Sequence, residues 1–201
     1  MEREIAVQKL RLLEGQDLRP LADKYGITVW KDGKPNKGWA GQVLERYLGL
    51  PINSSRAPNF GSWELKQGSL KTLKSGRVTV KETLQITMID PVHVLANPFD
   101  QSHLLSKMKK GVLCVRHFEA NSERAILVKV ATFDLDHPEI YAQVRANYET
   151  VRETIRTKGF GALTGAMGVL VQPRTKGPGH GSTSRAFYAR TGYVAKILDL
   201  E

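Results

Sequence analysis

The stretch PNFGSWELK, residues 58–66, is the part of the sequence from which both the fold and the candidate site are predicted. Side chains alternate between the two faces of a β-strand, so Glu64 and Lys66 would share one face while Trp63 and Leu65 bury on the other. We therefore predict a strand over residues 60–67 that carries an acidic and a basic side chain on one face.

Hydrophobic spacing on either side of this strand predicts further helices and strands. Before it, apolar residues recur at helical spacing in residues 4–13, 18–25 and 38–48. After it, runs rich in Val, Leu and Ile predict strands at 77–89, 111–118, 125–134 and 169–172, the first joined to 60–67 as a hairpin or meander. Pro138 suits the first turn of a helix that runs to Lys158. This order of elements predicts an α/β protein.

Size and composition are those of an ordinary globular protein. With 201 residues and 41% hydrophobic content the chain can fill one core, and we predict a single domain over residues 1–201. No run approaches the roughly 18 apolar residues of a membrane span, and the N-terminus opens with charges of both signs. The single cysteine, Cys114, fits a reducing compartment. These features together predict a cytoplasmic protein.

The charge balance points to a polyanionic partner. Lys and Arg number 30 against 20 Asp and Glu, which gives a net charge of +10 and a pI near 9.8. That pI lies in the range of nucleic-acid-binding domains. A small basic protein with no such partner is the alternative, because charge by itself does not identify what a protein binds. The basic residues also cluster, at 66–81, at 107–110 and on either side of a glycine-rich loop at 177–184.

Glu-x-Lys on a short strand is the pattern on which many metal-dependent nucleases build their active site. Phosphodiester hydrolysis needs a cation that polarises the phosphoryl oxygen and a positioned water. We predict Asn59 and Glu64 as metal ligands with the Leu65 carbonyl as a further oxygen, and Lys66 beside the attacking water. Glu45 would reach in from the preceding helix. Mg²⁺ suits such oxygen ligands. An ordinary ion pair on an exposed strand is the alternative for Glu64 and Lys66.

Four short segments, taken together, are similar to one known family. They are KGWAGQVLE (37–45), APNF (57–60) with ELK (64–66), SH (102–103) with Lys107 and Lys109, and VQPR (171–174) with FY (187–188). On these residues the chain resembles the MutH-type DNA endonucleases, which include the mismatch-repair nicking enzyme MutH and type II restriction enzymes such as MvaI and BcnI. The loop GPGH (177–180) is closer to the restriction enzymes.

The resemblance implies a restriction-endonuclease-like fold, in which a mixed central β-sheet is flanked by helices and two lobes surround a DNA cleft. It also implies that Glu45 and Lys107 complete the catalytic set with Asn59, Glu64 and Lys66. For Lys107 the alternative is one lysine among three on a solvated helix.

Contacts with double-stranded DNA are implied by the same resemblance. Lys37 would contact a phosphate, and Arg174, His180, Arg185 and Tyr188 would face the grooves. Lys176 joins this DNA-binding set as one of the basic residues beside the glycine-rich loop. Which of them specify sequence stays open, because phosphate contacts are commoner than base contacts. The protein is expected to act as a monomer or weak dimer, with a mismatch-repair partner if it is MutH-like.

Asn59 departs from the family pattern, in which an aspartate shortly precedes the glutamate. An amide offers one neutral oxygen, and the lost negative charge should weaken binding of a divalent cation. We therefore predict a Mg²⁺-dependent, sequence-specific duplex DNA endonuclease of the restriction type that binds DNA and cleaves it poorly. An engineered substitution and a naturally inactive relative both explain the amide. The alternative functions are a methylation-sensitive mismatch-repair nicking enzyme and a non-catalytic DNA-binding module.

Two other patterns are not interpreted as sites. Cys114 and His117 have zinc-ligand spacing, but no second pair of ligands accompanies them on this predicted strand. The glycine-rich loop lacks the Gly-Lys-Ser/Thr ending of a nucleotide-binding loop.

Overall fold

The computed structural model describes residues 1–31, 33–50, 58–118, 124–177 and 183–200. The chain forms two compact units. Unit 1 comprises Met1–Lys81, Gly111–Thr132 and Leu200, and unit 2 comprises Glu82–Lys110 and Phe133–Asp199. That the two units together act as a single domain remains a prediction.

Unit 1 combines three helices with a four-stranded sheet. The helices are α1 (Arg3–Arg11), α2 (Arg19–Lys24) and α3 (Trp39–Tyr47). A short pair, β1 (Trp30–Lys31) and β2 (Lys34–Pro35), precedes α3, and the sheet strands are β3 (Glu64–Thr72), β4 (Val78–Val80), β6 (Lys110–His117) and β7 (Leu127–Asp134). The strand order is β4-β3-β6-β7. Because β3 runs antiparallel to β4 and parallel to β6, the sheet is mixed, and the predicted α/β class is confirmed.

The core of unit 1 lies between these helices and the sheet. Each helix turns one apolar stripe inward, as its spacing predicts, and the sheet supplies the facing side chains. The core includes Ala6, Leu10, Leu18, Ala22, Ala40, Val43, Leu44, Trp63, Leu65, Val112, Cys114 and Leu127. Burying a large apolar side chain of this kind contributes about 1.5–3 kcal/mol. This core holds α3 against β3, the two elements that carry most of the candidate site.

Unit 2 contains a three-stranded antiparallel sheet in the order β5-β9-β8, with β5 (Leu84–Met88), β8 (Val171–Thr175) and β9 (Arg185–Ala189). Its helices are α4 (Pro91–Ala96), α5 (His103–Met108), α6 (Pro138–Lys158) and α7 (Thr191–Ile197). The long helix α6 has the bounds predicted from sequence. Its buried Tyr148 packs against Phe187 of β9, with ring centroids 5.9 Å apart.

Three predicted strands differ from the structure. The strand expected at 60–67 begins only at Glu64, because Gly61, with φ of 76°, closes a turn in which its N–H donates to the Pro58 carbonyl. The strand expected at 169–172 begins at Val171, because the Val169 amide donates to a side chain instead of a neighbouring strand. In addition, β9 and α7 were not predicted.

The third difference concerns the strand expected at 77–89, which is two strands in two sheets. β4 forms a hairpin with β3, as expected, but β5 pairs with β9, so the meander is wrong. The polar residues Glu82 and Thr83 lie between them, where the chain leaves unit 1 and enters unit 2.

Within the described residues, no helix is both long enough and apolar enough to cross a membrane.

Candidate active site

Four of the predicted catalytic side chains meet in unit 1. Glu45 lies on the last turn of α3, Asn59 lies in the turn that precedes β3, and Glu64 and Lys66 lie at the start of β3. The turn is short because Phe60 stacks on Trp63, with ring centroids 4.0 Å apart and planes within 2°. This stack, with Trp63 buried beneath, brings Asn59 back beside Glu64.

Hydrogen bonds and an ion pair connect the four side chains. The Asn59 Nδ2 amide donates to Glu45 Oε1 at 2.8 Å, and the Asn59 backbone N–H donates to Glu64 Oε2 at 3.0 Å. Lys66 Nζ lies 2.8 Å from Glu64 Oε1. Both carboxylate oxygens of Glu64 are therefore engaged by the protein.

Burial distinguishes this cluster from a surface ion pair. The Glu64 side chain is 2% exposed and that of Lys66 is 16% exposed. Removing two charges from water is costly, and a buried pair is weak evidence of added stability. The alternative of an ordinary pair on an exposed strand face does not fit these exposures. A buried carboxylate that shares one strand face with an ammonium is instead an arrangement suited to chemistry.

The oxygen donors of the cluster are of the kind that Mg²⁺ takes, and two of the side chains are carboxylates. Carboxylate oxygens of Glu45 and Glu64 and the Asn59 amide oxygen are hard ligands suited to that ion. Within the part of the chain that the structure describes, no group of three or more His, Cys, Asp and Glu side chains could hold a metal ion. An aspartate in place of Asn59 would supply the third acidic side chain of such a group.

Asn59 also determines how the polar groups of the cluster pair with one another when no cation is bound. Its Nδ2 group is a donor, so it pairs directly with the Glu45 carboxylate. A carboxylate at this position could only place oxygen against oxygen, which requires a cation or a shared proton between the two groups. The amide therefore holds Asn59 beside Glu45 with no need for a cation or a shared proton.

Lys107 belongs to unit 2, on the last turn of α5. Ser102 begins that helix, where its Oγ accepts the Leu105 N–H at 3.0 Å. Lys107 is 6% exposed, whereas Lys109 is exposed. A lysine on a solvated helix face does not have this burial, yet the catalytic role of Lys107 remains a prediction.

Two predicted DNA contacts lie together on one face of the unit 2 sheet. Arg174 Nη1 donates to Thr83 Oγ1 at 2.8 Å, and its guanidinium carbon lies 5.8 Å from the centre of the Tyr188 ring. Arg174 is exposed and Tyr188 is half-buried. Burial raises the pKa of Tyr188, an effect that the Arg174 charge opposes. The ring therefore stays neutral beneath the guanidinium at neutral pH.

Sequence reasoning missed two residues of this face, Thr83 and Gln172. Gln172 pairs with Tyr188 across the strands and shares a face with Arg174, two residues further along β8. The alternation Gln172-x-Arg174 within the predicted strand was a signal that could have found Gln172. Nothing in the sequence signals Thr83, because it lies 91 residues from Arg174.

Two of the remaining predicted DNA contacts lie at the same end of one hairpin. Lys176 is exposed and Arg185 half-buried, where β8 and β9 lead into their connecting loop and the Lys176 N–H donates to the Ser184 carbonyl. Lys37 is exposed just before α3. His180 lies outside the described residues. The DNA-binding roles of all these residues remain predictions.

Cys114 and His117 are not placed to bind zinc together. Cys114 is fully buried on β6, and burial raises the pKa of its thiol well above the ordinary value. His117 Nε2 lies 2.9 Å from Thr72 Oγ1. Residues three apart on a strand point to opposite faces, so the two side chains do not converge.

Comparisons with known proteins show what this chain is similar to. A family model described as DNA mismatch repair enzyme MutH matches residues 48–150. The DNA mismatch repair protein MutH of Vibrio cholerae is 27% identical over 92% of this chain and 90% of its own length. MutH of Haemophilus ducreyi is 27% identical over 94% of this chain and 90% of its own length. MutH of a Shewanella species is 24% identical over 96% of this chain and 92% of its own length. A solved complex of the restriction endonuclease MvaI with its cognate DNA substrate aligns with 100% of this chain and 97% of its own, at 11% identity and a TM-score of 0.40.

Proposed function

Because this chain belongs to the family of the DNA mismatch repair enzyme MutH, we propose that it is a Mg²⁺-dependent duplex DNA endonuclease whose active site is impaired by Asn59. Family membership supports a sequence-specific DNA endonuclease. The observation that carries the proposal further is the hydrogen bond from Asn59 Nδ2 to Glu45 Oε1 beside the buried pair of Glu64 and Lys66. Under the proposal, Asn59 occupies the position at which the family pattern has an aspartate.

Each side chain of the cluster has a chemical role under this proposal. Oxygens of Glu45, Glu64 and residue 59 would hold Mg²⁺, which when bound polarises the phosphoryl oxygen and lowers the pKa of a bound water. Lys66 is held by Glu64 at 2.8 Å, so its remaining N–H groups can orient the attacking water. The catalytic role predicted for Lys107 is also part of this proposal. The neutral amide at residue 59 lowers the negative charge available to the cation, and this impairs hydrolysis.

Restoring the carboxylate tests the proposal. We expect Asn59→Asp to raise Mg²⁺-dependent cleavage of plasmid DNA by about 100-fold or more, because it completes the acidic set. The measurement is the rate of conversion of supercoiled plasmid, with EDTA as a blank. The matched control is Asn59→Asp combined with Glu64→Gln, which keeps the shape of the site and should abolish the gain. No gain from Asn59→Asp would remove the support for an impaired nuclease.

A non-catalytic DNA-binding module is the second candidate, and one observation favours it. The cluster satisfies its own hydrogen bonds through Asn59, so the site needs no cation to be stable. Under this reading the unaltered chain binds duplex DNA and the Asn59→Asp variant still does not cut it. The plasmid assay therefore separates the two candidates.

The type of cleavage and the assembly are further parts of the proposal. We favour restriction-type cleavage of both strands, for which linear plasmid is the expected product. An accumulation of open circles would favour the nicking alternative instead, for which methylation sensitivity and a mismatch-repair partner are further expectations. The two units would act as one cytoplasmic domain that binds double-stranded DNA as a monomer or weak dimer. Mass measurement with and without DNA tests the assembly.

A further inference from the structure

Residues 165–171, which lead into β8 and include its first residue, have an irregular backbone held by a buried side chain. Asn147 lies on α6 and is 4% exposed. Its Oδ1 atom accepts the N–H groups of Val169, Leu170 and Val171 at 3.1, 2.9 and 3.0 Å. Three consecutive amides directed at one oxygen leave the backbone little freedom. Without Asn147 Oδ1, these donors would lose the acceptor that the protein supplies.

A second side chain holds the carbonyl groups of the same segment. Arg190 Nε donates to the Gly168 carbonyl at 2.9 Å, and Arg190 Nη2 donates to the carbonyls of Gly165 and Met167 at 2.9 and 3.2 Å. The planar guanidinium fixes the angles between these donors. Asn147 and Arg190 thus form a clamp, one on the N–H groups and one on the carbonyls.

Gly168 makes the clamped conformation possible. Its φ is +75°, and a Cβ atom there would lie 1.9 Å from the Val171 carbonyl oxygen. No residue with a side chain fits without moving the backbone. The segment is therefore built for one conformation.

Gly165 of the clamped segment lies beside the side chain of Arg174. A Cβ atom on Gly165 would be 3.7 Å from Arg174 Cγ and 3.9 Å from Gln172 Oε1. The segment thus borders the aliphatic part of Arg174, while Thr83 and Tyr188 hold its guanidinium. A long exposed arginine loses rotamer freedom when it binds, and prior ordering reduces that loss.

We propose that Asn147 and Arg190 are positioning residues that act through residues 165–171 to hold Arg174 ready for duplex DNA. The inference rests on the proposed function, because Arg174 is a DNA contact only under that function. If the segment only connected α6 with β8, it would not need such a clamp. Val169 is 64% exposed, so the segment reaches the surface, where water can satisfy backbone groups. The clamp instead orders Arg174, which lies beside the segment.

A double-variant cycle tests this role. The probes are a duplex selected from a library of randomised base pairs by the unaltered chain, and a scrambled duplex of the same length. We expect Arg174→Ala to reduce the ratio of the two affinities by about tenfold, and Asn147→Leu to do the same. The double variant should lose no more than Arg174→Ala alone, because Asn147 acts through Arg174. Asn147→Asp keeps an acceptor oxygen and should retain the ratio.

Controls separate positioning from a general loss of structure. Thr150→Ala, on the same helix, removes a hydrogen bond to the Ala146 carbonyl that does not reach the segment, and should leave the ratio unchanged. Amide exchange at residues 169–171 should accelerate in Asn147→Leu and not in Thr150→Ala. If Asn147→Leu does not fold, Arg190→Lys, which cannot serve three carbonyls in the same geometry, takes its place in the cycle.

The outcomes distinguish the inference from the proposed function. Additive losses in the double variant would overturn the inference and leave the proposed function intact. An unchanged ratio in Asn147→Leu would overturn it as well. Failure of the unaltered chain to select any duplex would overturn both.

Discussion

The cluster around Glu64 in unit 1 and the face around Arg174 in unit 2 show two ways of holding charged side chains. Glu64 and Lys66 are buried, and neighbouring side chains engage them directly. Arg174 is exposed, and a hydroxyl, a ring and a clamped backbone segment border it. Glu64 and Lys66, the proposed catalytic charges, are thus fixed by burial and pairing. Arg174, a proposed DNA contact, is instead exposed to water and bordered by the protein on one side.

The largest difference between the two regions should appear when the same change is made in each. Lys66→Met leaves the buried Glu64 carboxylate without its ammonium, and we expect the free energy of unfolding to fall by about 3 kcal/mol. Arg174→Met, at an exposed site, should cost less than about 1 kcal/mol. Urea unfolding measures both. Combining Lys66→Met with Glu64→Gln should recover most of the loss, and equal costs at both sites would contradict the comparison.

A metal dependence should be created by one substitution in unit 1. Asn59→Asp places two carboxylates together where Asn59 Nδ2 now pairs with Glu45, so without divalent cations we expect a loss of about 2 kcal/mol. Mg²⁺ at ten times its Kd should restore about 1.4 kcal/mol of the free energy of unfolding. Thermal unfolding with Mg²⁺ or EDTA measures this. The unaltered chain and Asn59→Ala are the controls, and a Mg²⁺ response of similar size in Asn59→Ala would argue against ligation by residue 59.

Two cations outside the cluster should affect DNA binding in different ways. Arg174→Ala should lower the preference for a selected duplex by about tenfold, because it removes a contact in the grooves. Lys37→Ala should weaken binding to all duplexes alike. It should also lower the slope of log affinity against log salt concentration by about one, because it removes a proposed phosphate contact. Fluorescence titration at several salt concentrations measures both. The assignment of roles would be reversed if Lys37→Ala changed the preference and Arg174→Ala did not.

The last effect concerns the tyrosines of unit 2. It is absent at neutral pH and appears only in alkaline solution. Burial raises the pKa of Tyr148 and Tyr193 to about 12. A raised folded-state pKa gives stability that is complete below the unfolded value of about 10 and is lost as the pH rises toward 12. We therefore expect unfolding to be promoted between those values, measured by tyrosinate absorbance. Tyr193→Phe should remove part of the dependence, and an unchanged profile would contradict the assignment.

The elements that local pattern specifies were predicted well from the sequence. α6 has its predicted bounds because Pro138 suits a first turn and apolar residues recur at helical spacing up to Ile155. The meeting of Glu45, Asn59 and Glu64 also followed, because all three lie within 20 residues of one another on adjacent elements. Strand alternation placed Glu64 and Lys66 on one face.

Long-range pairing was beyond sequence reasoning. β5 leaves the expected meander because its partner β9 lies about 100 residues further along the chain, and no local pattern reports that pairing. Asn147 has no sequence signal either, since a polar residue in a helix usually faces solvent, whereas this one accepts amides 22–24 residues away. Its burial depends on the segment that it holds.

The stack of Phe60 on Trp63 also gives the site an optical reporter. The indole is buried, its Nε1 donates to the Met1 carbonyl at 3.0 Å, and its neighbours along the chain are the turn with Asn59 and the strand with Glu64. A ligand that moves residue 59 or 64 would change the surroundings of this indole. The Trp63 component of the tryptophan emission would then follow occupancy of the site in real time, without labelled DNA or a cleavage product.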